Sequence, residues 1–166
     1  MKNIVLIGMM GCGKTTVGRL AAEKLGMAFV DTDERIEADT GRTIPDLFAQ
    51  EGEAYFRNWE LRVSEELARQ SGLVIACGGG LPTRPDSIAA LKGSGVVFWI
   101  NRDPGEIYDT VSMAGRPLGQ GGRAAFLERF ARREGIYRQW ADYIIQGHRT
   151  AREAASRLCA IYQEGE

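Results

Sequence analysis

The feature that most constrains this chain is a glycine-rich segment near its start. Residues 8–15 read Gly-Met-Met-Gly-Cys-Gly-Lys-Thr, which fits the phosphate-loop pattern of two glycines around a four-residue gap, followed by lysine and a hydroxyl residue. The apolar run 4–7 precedes the segment and a helical stretch, 16–25, follows it, so strand, loop and helix stand in the required order. The sequence therefore predicts a loop whose backbone N–H groups bind nucleotide phosphates.

The side chains of this loop fit phosphate and metal chemistry. Lys14 would span the β- and γ-phosphates of a nucleotide, and the Thr15 hydroxyl would take one position around Mg²⁺. The helix N-terminus behind them favours an anion. Cys12 fits either as a small filler or as an oxidation-sensitive thiol. The predicted ATP-binding residues of the loop are Gly11, Cys12, Gly13, Lys14, Thr15 and Thr16.

Length and composition limit the kind of protein. A chain of 166 residues with 44% hydrophobic content is enough for one domain, 1–166, and too short for two ordinary ones. A net charge of -1 indicates no nucleic-acid or anionic-membrane partner. Three cysteines without a C-x-x-C spacing predict neither a disulfide framework nor a zinc site, and a single histidine excludes a metal site built from several histidines. We expect a cytoplasmic monomer.

Short apolar runs alternate with longer amphipathic stretches along the chain. The predicted strands are 3–7, 28–30, 73–77, 96–100 and 143–145. This alternation predicts an α/β fold with a parallel sheet between helices, and it places ligands at the carboxyl ends of the strands.

Polar or glycine-rich residues follow the second and third strands. Asp31 and Asp33 alternate on a segment predicted to be extended, so they should point to different neighbours. Asp31 could hold Mg²⁺ through water, and Asp33 could orient or deprotonate a substrate hydroxyl. Alternatively, Asp33 is the N-cap of a helix that begins at Glu34. Three glycines, 78–80, follow the third strand.

Two further segments are candidates for covering the site. Residues 41–71 are charged, largely helical and longer than a crossover requires, which suggests a lobe over the site. Residues 113–124 hold four glycines and two arginines, so this segment either brings Arg116 to a phosphate or is an ordinary surface loop. Arg57 and Arg133 suit a carboxylate or a phosphate, but spacing alone equally allows paired surface arginines.

Taken together, these motifs resemble those of the shikimate kinases over nearly the whole chain. The ordered set separates the sequence from adenylate and gluconate kinases, which resemble it only at the phosphate loop. The matching pieces are residues 8–15, Asp31-Thr32-Asp33, Phe56-Arg57 before Glu60, Gly78-Gly79-Gly80, Gly115-Arg116-Pro117-Leu118, and Arg133 before Tyr137.

The resemblance implies a three-layer fold of the nucleoside-monophosphate-kinase type. Its five-stranded parallel sheet would have the order 2-3-1-4-5, with a substrate lobe at about 33–62 and a lid at about 112–124 of this sequence. The implied activity is transfer of the ATP γ-phosphoryl group to the 3-hydroxyl of shikimate, in the route to chorismate and the aromatic amino acids. ATP and shikimate would be the small-molecule partners, and Mg²⁺ the cofactor.

The resemblance also implies roles for individual residues. Asp33 would contact the shikimate hydroxyls and act as the base, while Arg57 and Arg133 would grip the carboxylate. Arg116 would be a catalytic, ATP-binding lid residue, together with Lys14 in the loop. The implied substrate-binding residues are Asp33, Arg57, Gly78, Gly79, Gly80 and Arg133, and the implied metal residues are Thr15 and, through water, Asp31. Around them, Glu60 would hold Arg57, and Phe48 and Phe56 would wall the pocket.

The chain departs from the family pattern at two places. Asp109 stands where the family usually has an arginine near the adenine, and residues 119–122 form a short glycine-rich stretch in the lid. Residues 147–152 occupy the region where the family contacts adenine, with Arg149 as the candidate. Two alternatives remain: a phosphate-loop kinase for another small hydroxy acid such as gluconate, and a non-catalytic nucleotide-binding regulator.

Overall fold

The computed structural model describes residues 1–113 and 121–165 of the chain. Its strands are β1 (Asn3–Ile7), β2 (Ala28–Asp31), β3 (Leu73–Ala76), β4 (Gly95–Ile100) and β5 (Tyr143–Ile145). Its helices are α1 (Lys14–Leu25), α2 (Thr32–Thr40), α3 (Ile44–Glu51), α4 (Glu53–Ala68), α5 (Pro85–Ser94), α6 (Pro104–Met113), α7 (Gly122–Trp140) and α8 (Ala151–Glu164). A short 3₁₀ turn, Leu81–Thr83, follows the third strand.

The strands form one parallel sheet with the order β2-β3-β1-β4-β5. This confirms the predicted sheet order and the α/β class. At the centre, Val5 of β1 lies beside Ile75 of β3 and Val97 of β4. Every residue of β1 and β3 is buried, because helices cover both faces of a parallel sheet of this kind.

The strand boundaries differ from the predicted ones by one residue at three ends. β2 continues to Asp31, which pairs with Ala76 of β3, and β4 already begins at Gly95, beside Asn3. β3 ends at Ala76, so Cys77 belongs to the connection after the strand. Backbone pairing thus extends β2 and β4 by one residue beyond the apolar runs from which they were predicted, whereas β3 ends one residue before its run does.

A buried asparagine joins the start of β1 to the end of α4. The Asn3 amide donates to the Gln70 carbonyl oxygen (2.9 Å), and its Oδ1 accepts from the Leu73 N–H (2.9 Å). These bonds satisfy a polar side chain that is fully buried. They also fix the crossover that carries the chain from α4 into β3.

The helices flank the sheet, with α1 packed against α8 and α4 against α5. Among the helices in residues 1–113 and 121–165, none has the length and apolar content needed to cross a membrane.

Candidate active site

The phosphate-loop segment connects the end of β1 to the start of α1, and its backbone requires glycine. Gly8, Gly11 and Gly13 have φ values of 147°, 82° and 103°, a region that residues with a side chain rarely adopt. A Cβ at Gly8 would also lie 2.7 Å from the carbonyl oxygen of Ile100. No side chain of the described residues caps α1, so its first N–H groups are available to an anionic ligand.

Lys14 lies back across this loop. Its Nζ donates to the carbonyl oxygens of Gly8 (2.7 Å) and Met9 (2.8 Å), and the residue is only 8% exposed. An ammonium group has three donors, and the third has only the weak acceptor Cys12 Sγ, which a phosphate oxygen would replace. Cys12 is buried next to it, with Sγ 3.8 Å from Nζ, which favours its interpretation as a small filler.

Thr15 and Asp31 meet at the edge of the loop. The Thr15 hydroxyl donates to Oδ2 of Asp31 (2.9 Å), and Oδ1 of Asp31 accepts from the backbone N–H groups of Asp33 (2.9 Å) and Glu34 (3.1 Å). A hydroxyl and a carboxylate are oxygen ligands of the type that Mg²⁺ prefers. The residues present therefore fit a magnesium ion.

The same contacts exclude the N-cap alternative for Asp33 and correct its expected place on an extended segment. Asp31, and not Asp33, is the N-cap of α2, and the helix begins at Thr32 instead of Glu34. Asp33 consequently lies in the first helical turn and not on an extended segment. The reason is that β2 extends to Asp31, which places that carboxylate at the strand-to-helix junction.

Two of the three glycines after β3 make room for charged side chains, and the third lies against the phosphate loop. A Cβ on Gly78 would lie 2.6 Å from Oδ1 of Asp33, and one on Gly80 would lie 2.8 Å from Cζ of Arg57. A Cβ on Gly79 would lie 3.2 Å from the backbone nitrogen of Met10, with Nη1 of Arg133 at a contact distance of 3.5 Å. None of the three has a φ in the left-handed region, so glycine is needed here for space. The three charged residues, distant in sequence, therefore converge on residues 78–80 beside the phosphate loop.

Two side chains that stand in the sequence motifs without a predicted role hold this glycine segment. The Gly78 N–H donates to Oγ1 of Thr32 (2.9 Å), and the Tyr137 hydroxyl donates to the Gly79 carbonyl oxygen (2.7 Å). Both residues are buried. The spacing of Tyr137 one helical turn after Arg133 is a signal that could have indicated a shared face of α7.

Burial dominates the electrostatics of Asp33, which lines the cleft, and of the buried Glu60 beside Arg57. It raises the pKa of Asp33 to about 6, with the nearby charge of Asp31 acting in the same direction. It also raises the pKa of Glu60 to about 7, although Arg57 lies 2.7 Å away and works against the shift. Both groups therefore titrate near neutral pH.

Arg57 and Arg133 are not solvated surface groups. The Arg57 side chain is 15% exposed, and its guanidinium contacts Glu60 (2.7 Å) and Glu53 (3.0 Å). Burial lowers the pKa of Arg133, against the effect of a hydrogen bond with Tyr137. Both cations thus stand at the edge of the cleft, where an anionic ligand would gain most from them.

The cleft itself is about 240 Å³ in volume. It is lined by phosphate-loop residues that include Lys14 and Thr15, by Asp31 and Asp33, and by residues 77–79. The rings of Phe48 and the buried Phe56, which are expected to wall the substrate pocket, lie 4.9 Å apart.

Other residues selected from the sequence lie elsewhere. Asp109, in α6, pairs with Arg123 of α7 at 3.0 Å, and both side chains are exposed. The backbone N–H of Arg149 donates to Glu153 (2.8 Å) at the start of α8. Arg116 and most of the segment 112–124 fall outside the residues that the structure describes.

Comparisons with known proteins agree with this geometry. The family model for shikimate kinase matches residues 10–163. The chain is 49% identical over 122 residues to the shikimate kinase of Symbiobacterium thermophilum, covering 72% of this chain and 70% of that protein. It is 41% identical over 150 residues to the shikimate kinase of Clostridium beijerinckii, covering 90% and 88%. A solved structure of shikimate kinase from Acinetobacter baumannii in complex with shikimate has a TM-score of 0.92 and 36% identity, covering 100% of this chain and 95% of that one.

Proposed function

The chain belongs to the shikimate kinase family, and on that premise we propose that it transfers the γ-phosphoryl group of ATP to the 3-hydroxyl of shikimate. The observation that carries this proposal is the convergence of Asp33, Arg57 and Arg133 on residues 78–80 at the edge of the phosphate-loop cleft. The product, shikimate 3-phosphate, would enter the route to chorismate and the aromatic amino acids.

The phosphate loop would bind and neutralise the nucleotide. The free N–H groups at the start of α1 would face the phosphates, and Lys14 would contribute the ammonium proton that is not bonded to a carbonyl oxygen. Thr15 and, through a water molecule, Asp31 would hold Mg²⁺. When bound there, Mg²⁺ would supply charge neutralisation at the phosphate oxygens. We assign the lid to residues 112–124, with Arg116 as its phosphate-binding and catalytic residue.

The acceptor would lie on the glycine segment. Shikimate has one carboxylate and three hydroxyls, and Arg57 with Arg133 would clamp the carboxylate from two helices. The absence of side chains at Gly78, Gly79 and Gly80 would let the ring approach the backbone closely. We assign the substrate lobe to residues 33–62.

Asp33 would position and deprotonate the reacting hydroxyl. Its carboxylate would take the proton, the oxygen would bond to the γ-phosphorus, and the bond from that phosphorus to the bridging oxygen of ADP would break. We also propose that the protein acts as a monomer in the cytoplasm.

The acceptor is tested by following ADP release from ATP and Mg²⁺ with shikimate, quinate, gluconate or no acceptor. Turnover that depends on shikimate is expected. Turnover with gluconate alone would assign a different acceptor, and ATP binding without turnover on any acceptor would assign a regulatory role.

Replacing Arg133 by alanine should mainly raise KM for shikimate. A carboxylate clamp stabilises the ground state and the transition state about equally, and charge-assisted hydrogen bonds of about 1.5–3 kcal/mol correspond to a rise of about 10–100-fold. The matched control is Arg132→Ala, the exposed neighbour on α7, which should leave KM unchanged. A variant of Arg133 altered only in kcat would contradict the clamp.

Replacing Gly80 by alanine should also raise KM for shikimate, by about 10-fold or more, because the new methyl group would displace the Arg57 guanidinium. Gly93→Ala is the control, since nothing lies within 4 Å of a Cβ at that helical position. It should stabilise the fold by about 0.5–1 kcal/mol without a kinetic effect. Equal kinetics for the two variants would show that the space at Gly80 does not serve Arg57.

A further inference from the structure

Glu60 has a buried carboxyl group of which only one oxygen accepts a hydrogen bond from the described residues. The residue is 1% exposed, and its Oε1 accepts from Nη1 of Arg57 at 2.7 Å. Its Oε2 is buried and has no hydrogen-bond partner among the residues that the structure describes. A buried, half-satisfied carboxylate is costly when it carries its full charge, so this group gains more than an exposed glutamate from taking up a proton.

The groups that face Glu60 set its charge balance. Arg57 on the same helix and Arg133 on α7 favour the ionised form, while Asp33 on α2 disfavours it. The Cys77 thiol after β3 also faces it. Of the other helices packed against α4, α3 places the ring of Phe48 against Phe56, and the buried residues of α5, which are Ser87, Ile88 and Leu91, carry no charge.

Arg57 is the residue that Glu60 and the substrate would share. Its guanidinium is already divided between Glu60 at 2.7 Å and the exposed Glu53 at 3.0 Å. A substrate carboxylate bound between Arg57 and Arg133 would add a second negative charge near Glu60. It would also form ion pairs with the two arginines that stabilise the Glu60 carboxylate, and so weaken their interaction with Glu60. Both effects favour the neutral carboxyl group.

We propose that Glu60 takes up one proton from solvent when the carboxylate of the substrate binds between Arg57 and Arg133. This inference rests on the proposed function, because it takes shikimate as the ligand of that clamp. Glu60 then acts as a positioning residue that releases part of its hold on Arg57 to the substrate. Shikimate affinity is consequently linked to pH through a residue that does not transfer the phosphoryl group.

The direction of the linkage follows from the pKa. Burial holds the pKa of Glu60 at about 7 in the free protein, and the bound anion raises it further. At about pH 6 the group is already largely protonated, so binding takes up little; at about pH 8 it is largely ionised, so binding takes up more. Shikimate affinity should therefore decrease as the pH rises from about 7 to about 8.

The test is isothermal titration calorimetry of shikimate, without nucleotide, in two buffers of different ionisation enthalpy. The difference in heat between buffers gives the number of protons taken up. For the unmodified protein we expect about half a proton or more at about pH 8, and clearly less at about pH 6. Glu60→Gln, which mimics the protonated form, should abolish both the uptake and the pH dependence of the affinity between these values.

Glu53→Gln is the matched control, because Glu53 pairs with the same guanidinium but its side chain is 65% exposed. It should retain the uptake. Binding with the same heat in both buffers, or unchanged uptake in Glu60→Gln, would overturn the inference and leave the proposed function intact. Absence of binding would overturn the proposed function and the inference with it. If Glu60→Gln does not fold, the inference is tested by proton uptake in the unmodified protein alone. Greater uptake at about pH 6 than at about pH 8 would exclude Glu60 as the group that takes up the proton.

Discussion

Replacing Lys14 by alanine is expected to lower kcat by about 10²–10³-fold or more, the typical cost of removing a preorganised donor from developing negative charge. The ammonium group is held by the Gly8 and Met9 carbonyl oxygens, so it is already in place before the phosphoryl group moves. The ammonium group therefore does not have to move or reorient during the transfer. Its loss should therefore appear in kcat as well as in nucleotide affinity.

The measurement is steady-state ADP release at saturating shikimate, with a thermal melt of each variant. Lys14→Met keeps most of the buried aliphatic stem and removes the charge, so it separates electrostatics from packing. Lys24→Ala, at the exposed end of the same helix, should behave as the unmodified protein. A Lys14→Met variant that keeps normal turnover would exclude the proposed role for the ammonium group.

The phosphate loop could be predicted from sequence because its requirements are local. Its glycines adopt backbone angles closed to other residues, and Lys14 bonds to carbonyl groups only five and six residues away. The central strands β1 and β3 were also recognisable, since both are buried along their whole length and residues 4–7 and 73–76 therefore appear as apolar runs. The order of the strands followed only from the family resemblance, because no local pattern records which strand lies beside which.

The acceptor site depends on tertiary contacts that spacing does not contain. Arg57 and Arg133 lie on α4 and α7, and they approach one another because both helices pack beside residues 78–80. Each arginine alone was indistinguishable from a paired surface residue until its burial was known. The family resemblance identified both arginines as substrate-binding residues, and their burial beside the glycine segment gives a physical reason for that role.

The two contacts that the sequence analysis missed have one common cause. Thr32 and Tyr137 act through single hydrogen bonds to the backbone of Gly78 and Gly79. A buried threonine or tyrosine looks like any other core residue in a sequence. The alternative N-cap at Asp33 was wrong for a similar reason, because local sequence could not decide it. Asp31 and Asp33 are equally good capping residues, and only the pairing of Asp31 with Ala76 decides between them.

Replacing Asp33 by asparagine is expected to lower kcat by about 10²–10⁴-fold, the usual contribution of a general base. Asparagine keeps the shape of the side chain against Gly78 and loses the ability to accept the proton. Folding should not suffer. The pKa of Asp33 in the folded protein, about 6, lies above its ordinary value of 3.8. The free energy of unfolding should therefore decrease as the pH rises from the ordinary pKa through about 6 and Asp33 becomes ionised. The neutral amide should therefore leave the melting temperature unchanged or raise it.

The pH profile distinguishes a base from a residue that only positions the hydroxyl. In the unmodified protein, kcat/KM should fall as the pH decreases through about 6, since the protonated Asp33 cannot accept a proton. Asp33→Asn should lose this acid limb along with its activity. Asp39→Asn, at the far end of the same helix and paired with Arg35, should retain both. If the Asp33→Asn variant shows only a small loss in kcat and keeps the acid limb, another group accepts the proton. Asp33 would then serve only to orient the hydroxyl of the substrate beside Gly78.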